Sequence, residues 1–301
     1  MDISLLGKGA IPDIPDDRDF VIGAVTPVDW TIPFTLPEPP NEDQNGSSSC
    51  VGQGWSYYHW QLKQKDFCRR DIYAWIYYPG GGAQIRDGGV RIVTYGQDVR
   101  ANVQDPNPET ESGMELYTGL DITRERIYEE LNSFVILKDI DTIANAIKQY
   151  SGVVFGVIGS DEGWQNIAMP RPPLSGEVQW GHCLYLFSYH LHNGKKCVIA
   201  KSSWGTAGGT TVHHITEDYF INNGTYVFNP WTLIPKGNFR MLVFFQVKGN
   251  QTIWSLMDGM WVGFADPTAF ANYINNRPNV IIQLDQVEFN KLTANPDVFK
   301  V

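Results

Sequence analysis

The stretch DQNGSSSCVGQGWSYYHW, residues 43–60, sets Cys50 between a serine-rich loop and an apolar periodicity of Val51, Trp55, Tyr58 and Leu62. That spacing predicts a helix from Cys50 to about residue 67, with Ser47 to Ser49 placed to cap its first turn. A thiol attacks a carbonyl only as the thiolate, and a helix N-terminus and a neighbouring imidazolium each lower its pKa. The helix start supplies the first condition. His182, opening the run WGHCLYLFSYH, is the residue placed to supply the second. Gln44, six residues before Cys50, offers a side-chain amide that, beside the Cys50 N–H, would meet an oxyanion on the attacked carbonyl. The chemistry is nucleophilic acyl transfer, with no metal and no cofactor required.

Two halves of different character must position these groups. In the first, DIYAWIYY, residues 85–95, ITRERIYEELNSF (122–134) and DIDTIANAIKQYSG (139–152) read as helices, the last with Asp139 or Asp141 as N-cap and Gly152 at its end. In the second, VVFGVI, CLYLFSYH, KCVIAKSSW and FRMLVFFQV are β-branched or aromatic runs split by turn residues. Asn193-Gly194 is a hairpin signal, so residues 182–190 are expected to pair antiparallel with about 197–205, bringing His182 to the KSSWG segment. A simple register puts Ser203 on the His182 side and a bulge would put Ser202 there, so the group orienting the imidazole stays open between them. The proline-rich first 40 residues read as an arm across the surface. After Val247 a KGNQT linker leads to a ββαβ pattern: TIWSLM, an Asp258-Gly259 turn, MWVGF, a helix opened by Asp266-Pro267, and NVIIQL.

Composition removes several function classes. A net charge of −10 repels nucleic acid and anionic membrane surfaces. No apolar run approaches the roughly 20 residues of a membrane span, and the first residues lack the basic start and apolar core of a signal peptide, so a cytoplasmic or virion-associated protein is expected. The four cysteines show no C-x-x-C spacing, which makes free thiols the expectation. His190 and His192 form an H-x-H pair that lacks a third ligand and reads as solvated, and His213-His214 in HHITED reads the same way.

Three ordered motifs, QNGSSSC, GHCLYLFSY and AKSSWGTAGG, resemble those of the papain-like (cathepsin-type) cysteine proteases, in the compact form of bacteria and their viruses. GGGAQIRDGG resembles that family's substrate-binding wall, IPDIPDDRDF the start of its mature domain, and TIANAIKQYSGVVFGV its entry into the β lobe. The resemblance implies an α+β, two-lobed fold. Its N-terminal arm would be residues 1–40, its helical lobe about 41–135 and its β-barrel-like lobe about 136–247, with the small ββαβ appendage at 248–301. It implies Cys50 as nucleophile, His182 as general base, Gln44 as oxyanion donor, Gly81, Gly82 and Ala83 as the wall holding a peptide main chain, and Trp204 as a shield for the histidine. Ser202 stands where the family carries Asn, which implies a less firmly held His182 and reduced turnover. The residues before Gln44 look like mature chain, so an inhibitory prodomain is not expected.

The expected partner is a peptide or protein substrate, with the C-terminal module as a docking element for a protein partner. The competing expectation is a papain-fold protein with a retired triad, serving as a binding or structural component, for example of a viral particle.

Overall fold

The computed structural model describes residues 8–14, 21–22, 28–102, 109–116, 131–205, 209–235, 242–247, 253–257, 260–264 and 279–284. Strands in the first part of the chain are β1 (Ala10–Ile11), β2 (Val21–Ile22), β3 (Phe34–Thr35), β4 (Ala83–Gln84) and β5 (Leu131–Ile136). The main strands follow as β6 (Val153–Ser160), β7 (Gln179–His192), β8 (Lys195–Lys201), β9 (Val212–Thr216) and β10 (Val227–Pro235). The helices are α1 (Cys50–Lys63), α2 (Arg70–Ile76), α3 (Ile85–Tyr95), α4 (Glu111–Met114), α5 (Ile140–Tyr150) and α6 (Ile221–Gly224). None of the described helices is long and apolar enough to cross a membrane.

The main sheet runs β2-β5-β10-β6-β7-β8-β9, with β3 added beside β7. Most of its pairings are antiparallel, and β2 with β5 is parallel. Among the described residues this sheet stays open rather than closing into the expected barrel. α5 packs on it through Ile143, Ala144 and Ile147, all fully buried. The Asp139 carboxylate accepts from the Thr142 N–H at 2.8 Å and starts that helix. Ser151 at φ 63° and Gly152 at φ 115° end it in left-handed backbone.

α1 packs against β7 with no side chain on Gly54. A Cβ there would lie 3.0 Å from Cys183 Sγ and 3.3 Å from Val154 Cγ1. One turn of buried aromatics, Trp55, Tyr57 and Tyr58, fixes the helix in the core. The Tyr58 hydroxyl meets Thr232 Oγ1 at 2.9 Å and accepts from Leu233 N at 3.0 Å, tying α1 to β10.

Three expectations change. The predicted helix over residues 122–134 ends instead in β5, and residues 122–130 lie outside the described residues. β5 joins the main sheet antiparallel to β10, so 131–135 serve the sheet rather than the helical lobe. FRMLVFFQV leaves the β lobe altogether. Its strand β11 (Leu242–Val247) lies in a separate sheet of order β13-β12-β11-β14, with β12 at Ile253–Met257, β13 at Met260–Phe264 and β14 at Asn279–Leu284. The chain accordingly divides into Met1–Ile22 with Pro27–Lys236, and Gly23–Thr26 with Gly237–Val301, eleven residues ahead of the expected boundary. β11 gains its neighbours from both sides there, antiparallel to β12 and parallel to β14. The expected Asp258-Gly259 turn and the helix after Asp266 lie outside the described residues.

Because the Asp139 cap satisfies one of the orphan N–H groups of α5, Asp139→Ala is expected to lower stability by about 1 kcal/mol. Urea unfolding of the two proteins measures it, and an unchanged midpoint would remove the cap from the account.

Candidate active site

Cys50 is the first residue of α1 and is fully buried. Ser49 holds the N-cap position, yet no serine side chain caps the helix. The hydroxyls are used inside the loop instead. Ser47 Oγ donates to the Gln44 carbonyl at 2.6 Å, which leaves Ser49 Oγ to donate to Ser47 Oγ at 2.8 Å. Burial pushes the Cys50 thiol up to about 12, against a partial offset from the N–H groups of Cys183, Val51, Gly9 and Cys50 itself. α1 carries this thiol against β7, the strand of His182 and Cys183.

His182 is fully buried on β7 and stacks on Trp204, with ring centroids 4.2 Å apart and planes at 21°. Neither ring nitrogen has a hydrogen-bond partner, so among the described residues neither Cys50 nor a serine holds the imidazole. Burial, then His213 and Lys8, drive its pKa well below the ordinary value. In this closed arrangement both nucleophile and base are neutral.

A β-bulge decides which serine shares the His182 side. Tyr189 pairs with Val198 and Ser188 with Ile199, but Leu186 already pairs with Ala200 and Tyr185 with Lys201, so β7 carries one extra residue. The slip reverses the alternation below it, and Ser202 and Trp204, rather than Ser203, come to the face of His182. Ser203 turns away and its hydroxyl donates to Gln44 Oε1 at 2.5 Å. Ser202 Oγ lies 2.7 Å from Nε2 of His213, a fully buried ring whose Nδ1 is 2.5 Å from the Ile167 carbonyl. A carbonyl only accepts, so Nδ1 carries the proton, Nε2 is the acceptor, and the Ser202 hydroxyl donates to it. The oxygen lone pairs of Ser202 remain available to accept. Burial lowers the His213 pKa to about 4, keeping it neutral in this role. The only mark of His213 in the sequence is the HH pair, and the β8–β9 register that brings it to Ser202, with Ala200 opposite His213, leaves no trace there.

The Gln44 side chain is buried, with its amide N–H donating to the Ser47 carbonyl. Its backbone N–H donates to the Ser203 carbonyl at 2.8 Å, and Gly205 N donates to Glu42 O at 2.9 Å, so the nucleophile loop and the SSWG segment are laced together. Gly80, Gly81 and Gly82 take φ of 98°, 93° and 87°, values that glycine alone adopts without strain. The Gly82 N–H donates to Tyr73 Oη at 2.9 Å, Tyr73 donates to Glu111 Oε1 at 2.6 Å, and the other Glu111 oxygen accepts from Ser48 N. That relay fixes the wall to the nucleophile loop.

The track along this wall is occupied by the chain's own N-terminal segment. Gly9 N donates to Gly181 O at 3.1 Å, and Gly9 O accepts from Ala83 N at 2.8 Å. β1 continues it as a parallel pair with β4, Ala10 facing Ala83. A side chain on Gly9 would place its Cβ 2.3 Å from Ser48 O, and one on Gly82 would place it 2.5 Å from Gly9 O. The seated segment lies against the nucleophile loop, with Gly9 packed on Ser48. Two anchors flank it: Lys8 Nζ is 2.8 Å from Asp161 Oδ1, and Asp13 Oδ2 accepts from Trp231 Nε1 at 2.7 Å. No inhibitory prodomain is expected from the sequence, and Gly9 to Ile11 nonetheless lie along the wall as main chain.

No protein-family model and no curated protein matches the sequence. Solved structures do. Xylellain, a cysteine protease from Xylella fastidiosa, aligns at TM-score 0.62 and 19% identity over 77% of this chain and 97% of its own. Procathepsin L2 from Tenebrio molitor larval midgut aligns at TM-score 0.61 and 12% identity over 77% and 79%. ProCathepsin B S9 from Trypanosoma congolense aligns at TM-score 0.58 and 10% identity over 78% and 88%.

Burial raises the Asp13 carboxyl from 3.8 to about 6 when the segment is seated. A raised carboxyl favours the seated state in acid. The contribution is complete below the free value and is lost as pH rises through about 6, by about a hundredfold in the seating equilibrium. Hydrogen exchange at the Gly9 and Ala83 amides, corrected for intrinsic rates, should show more protection at pH 4.5 than at pH 7.5. Asp13→Asn should abolish the difference, and equal protection in the parent protein would contradict the assignment.

Proposed function

We propose that this chain, which has the papain-like cysteine-protease fold, hydrolyses peptide bonds through an acyl-enzyme on Cys50 once its N-terminal segment leaves the cleft. The observation that carries the reading is that Gly9 is held as main chain between Gly181 and Ala83 and packs on Ser48, two residues before the nucleophile. A wall that grips one extended backbone through its N–H and C=O offers the same bonds to another.

Departure of residues 8–11 admits water to Cys50 and His182 and removes the Lys8 ammonium from beside the imidazole. Water lowers the thiol pKa and raises the imidazole pKa, and loss of the Lys8 charge raises the imidazole pKa further, so the proton can pass from sulfur to ring. The thiolate then attacks the substrate carbonyl carbon. The S–C bond forms while the C=O π pair moves to oxygen, where the Cys50 N–H and the Gln44 amide receive it. On collapse the C–N bond breaks and the amine leaves with the proton from His182. Water, deprotonated by His182, attacks the thioester, and the sulfur leaves as thiolate. Ser202, its own proton committed to His213, accepts the other N–H of His182 and takes the place of the family's Asn, and Trp204 keeps water from that bond.

A second reading keeps the fold and drops the chemistry. It is favoured by the unpartnered His182 and the seated segment, and makes the chain a binding or structural component.

A fluorogenic peptide assay with Cys50 labelling separates the two. Hydrolysis that falls by at least about a thousandfold in Cys50→Ala is expected. In Gly9→Val the clash with Ser48 costs about 1–3 kcal/mol of seating and should raise both turnover and iodoacetamide labelling of Cys50 by about tenfold or more. An inert Cys50 in Gly9→Val would leave only the second reading. For the positioning residue, His213→Ala should lower kcat by about tenfold with KM little changed, and His213→Gln, which keeps an acceptor facing Ser202, should recover part of it. Equal kcat in all three proteins would remove His213 from the mechanism.

A further inference from the structure

The same alternation that sends His213 to one face of the sheet sends His214 to the other. His190 pairs with Cys197 across β7 and β8, and Ile199 pairs with His214 across β8 and β9. Cys197 and Ile199 are two apart on β8, so His190, Cys197 and His214 project from one face of three adjacent strands. His192, two residues from His190, shares that face. One donor atom from each of His190, Cys197 and His214 lies within 4.8 Å of the others. The His192 ring centroid is 5.6 Å from that of His214 and 6.1 Å from that of His190. His214 Nδ1 is buried with no hydrogen-bond partner.

We propose that His190, Cys197 and His214 form a zinc-class metal site, with His192 at the mouth as fourth ligand. Two imidazoles and a thiolate suit a borderline cation such as Zn²⁺ and are a poor set for Ca²⁺ or Mg²⁺. Tetrahedral Zn²⁺ with these ligands needs donor atoms about 3.3–3.8 Å apart, from bond lengths of about 2.0–2.3 Å. The half-buried rings of His190 and His214 close that gap by small rotations, because no hydrogen bond holds them elsewhere. As the Zn–S bond forms, the Cys197 thiol proton is released to solvent. The metal would staple the β7-β8 hairpin to β9. It lies on the face of β8 turned away from Ser202 and His182, so it is independent of the peptidase reading.

Zinc competition with a chromophoric chelator, on the full chain carrying Cys50→Ala to remove the other candidate thiolate, tests the site. One Zn²⁺ per chain with Kd below about 1 µM is expected. Co²⁺ should give tetrahedral ligand-field bands and a sulfur-to-cobalt charge-transfer band. Adding His214→Ala should weaken zinc binding by at least about fiftyfold, and Cys197→Ser should remove the charge-transfer band. Should the buried serine unfold the chain, His190→Asn, at a half-buried position, must show the same loss of zinc. Absence of stoichiometric zinc, affinity indifferent to His214→Ala or His190→Asn, or bound Co²⁺ without a thiolate band would each overturn the site.

Discussion

The seam between the start of α1 and β7 is the constraint on which the rest depends. Cys50 is carried against β7 as α1 packs there with no side chain on Gly54, where a Cβ would crowd Cys183 Sγ at 3.0 Å. That closeness buries the sulfur, and burial sets its protonation. With α1 fixed there by Trp55, Tyr57 and Tyr58, the nucleophile loop must run back over the SSWG segment, where Gln44 meets Ser203. The site is therefore a product of one helix–strand contact, and the loops follow from it.

The same burial makes the closed state quiet. A thiol held near 12 beside an imidazole held below its ordinary value exchanges no proton, whatever the distance between them. The N-terminal segment is what completes that burial. Control of the chemistry and protection of the thiol thus come from the same main-chain bonds, to Gly181 and to Ala83.

Much of this was legible in the sequence where local rules dominate. α3 spans the predicted residues 85–95, α5 starts at the expected Asp139 cap, and Asn193 at φ 50° with Gly194 at φ 79° turns the hairpin as its dipeptide predicts. The order of Gln44, Cys50, His182 and SSWG carried the fold resemblance. What failed was non-local. No periodicity announces an extra residue in β7, yet that bulge brings Ser202 to the face of His182, while the pairing of β8 with β9 brings His213 to hold it. The strand at 242–247 reads like any other apolar run, and its place in the second sheet depends on β14, some forty residues later. The His190–His192 pair lacked a third ligand in sequence because Cys197 and His214 arrive through strand pairing. Likewise, the Lys8-Gly9-Ala10 stretch gives no local sign that it will pair with Ala83 and Gly181 far along the chain.

The central claim, that Cys50 is a nucleophile silenced by its own N-terminal segment, is tested most directly by mass spectrometry of the protein after brief exposure to a peptidyl ester. With residues 1–14 removed, acid quenching should trap an acyl adduct on Cys50, and the intact chain should show little or none. No adduct on Cys50 in either protein, or equal acylation in both, would contradict the account.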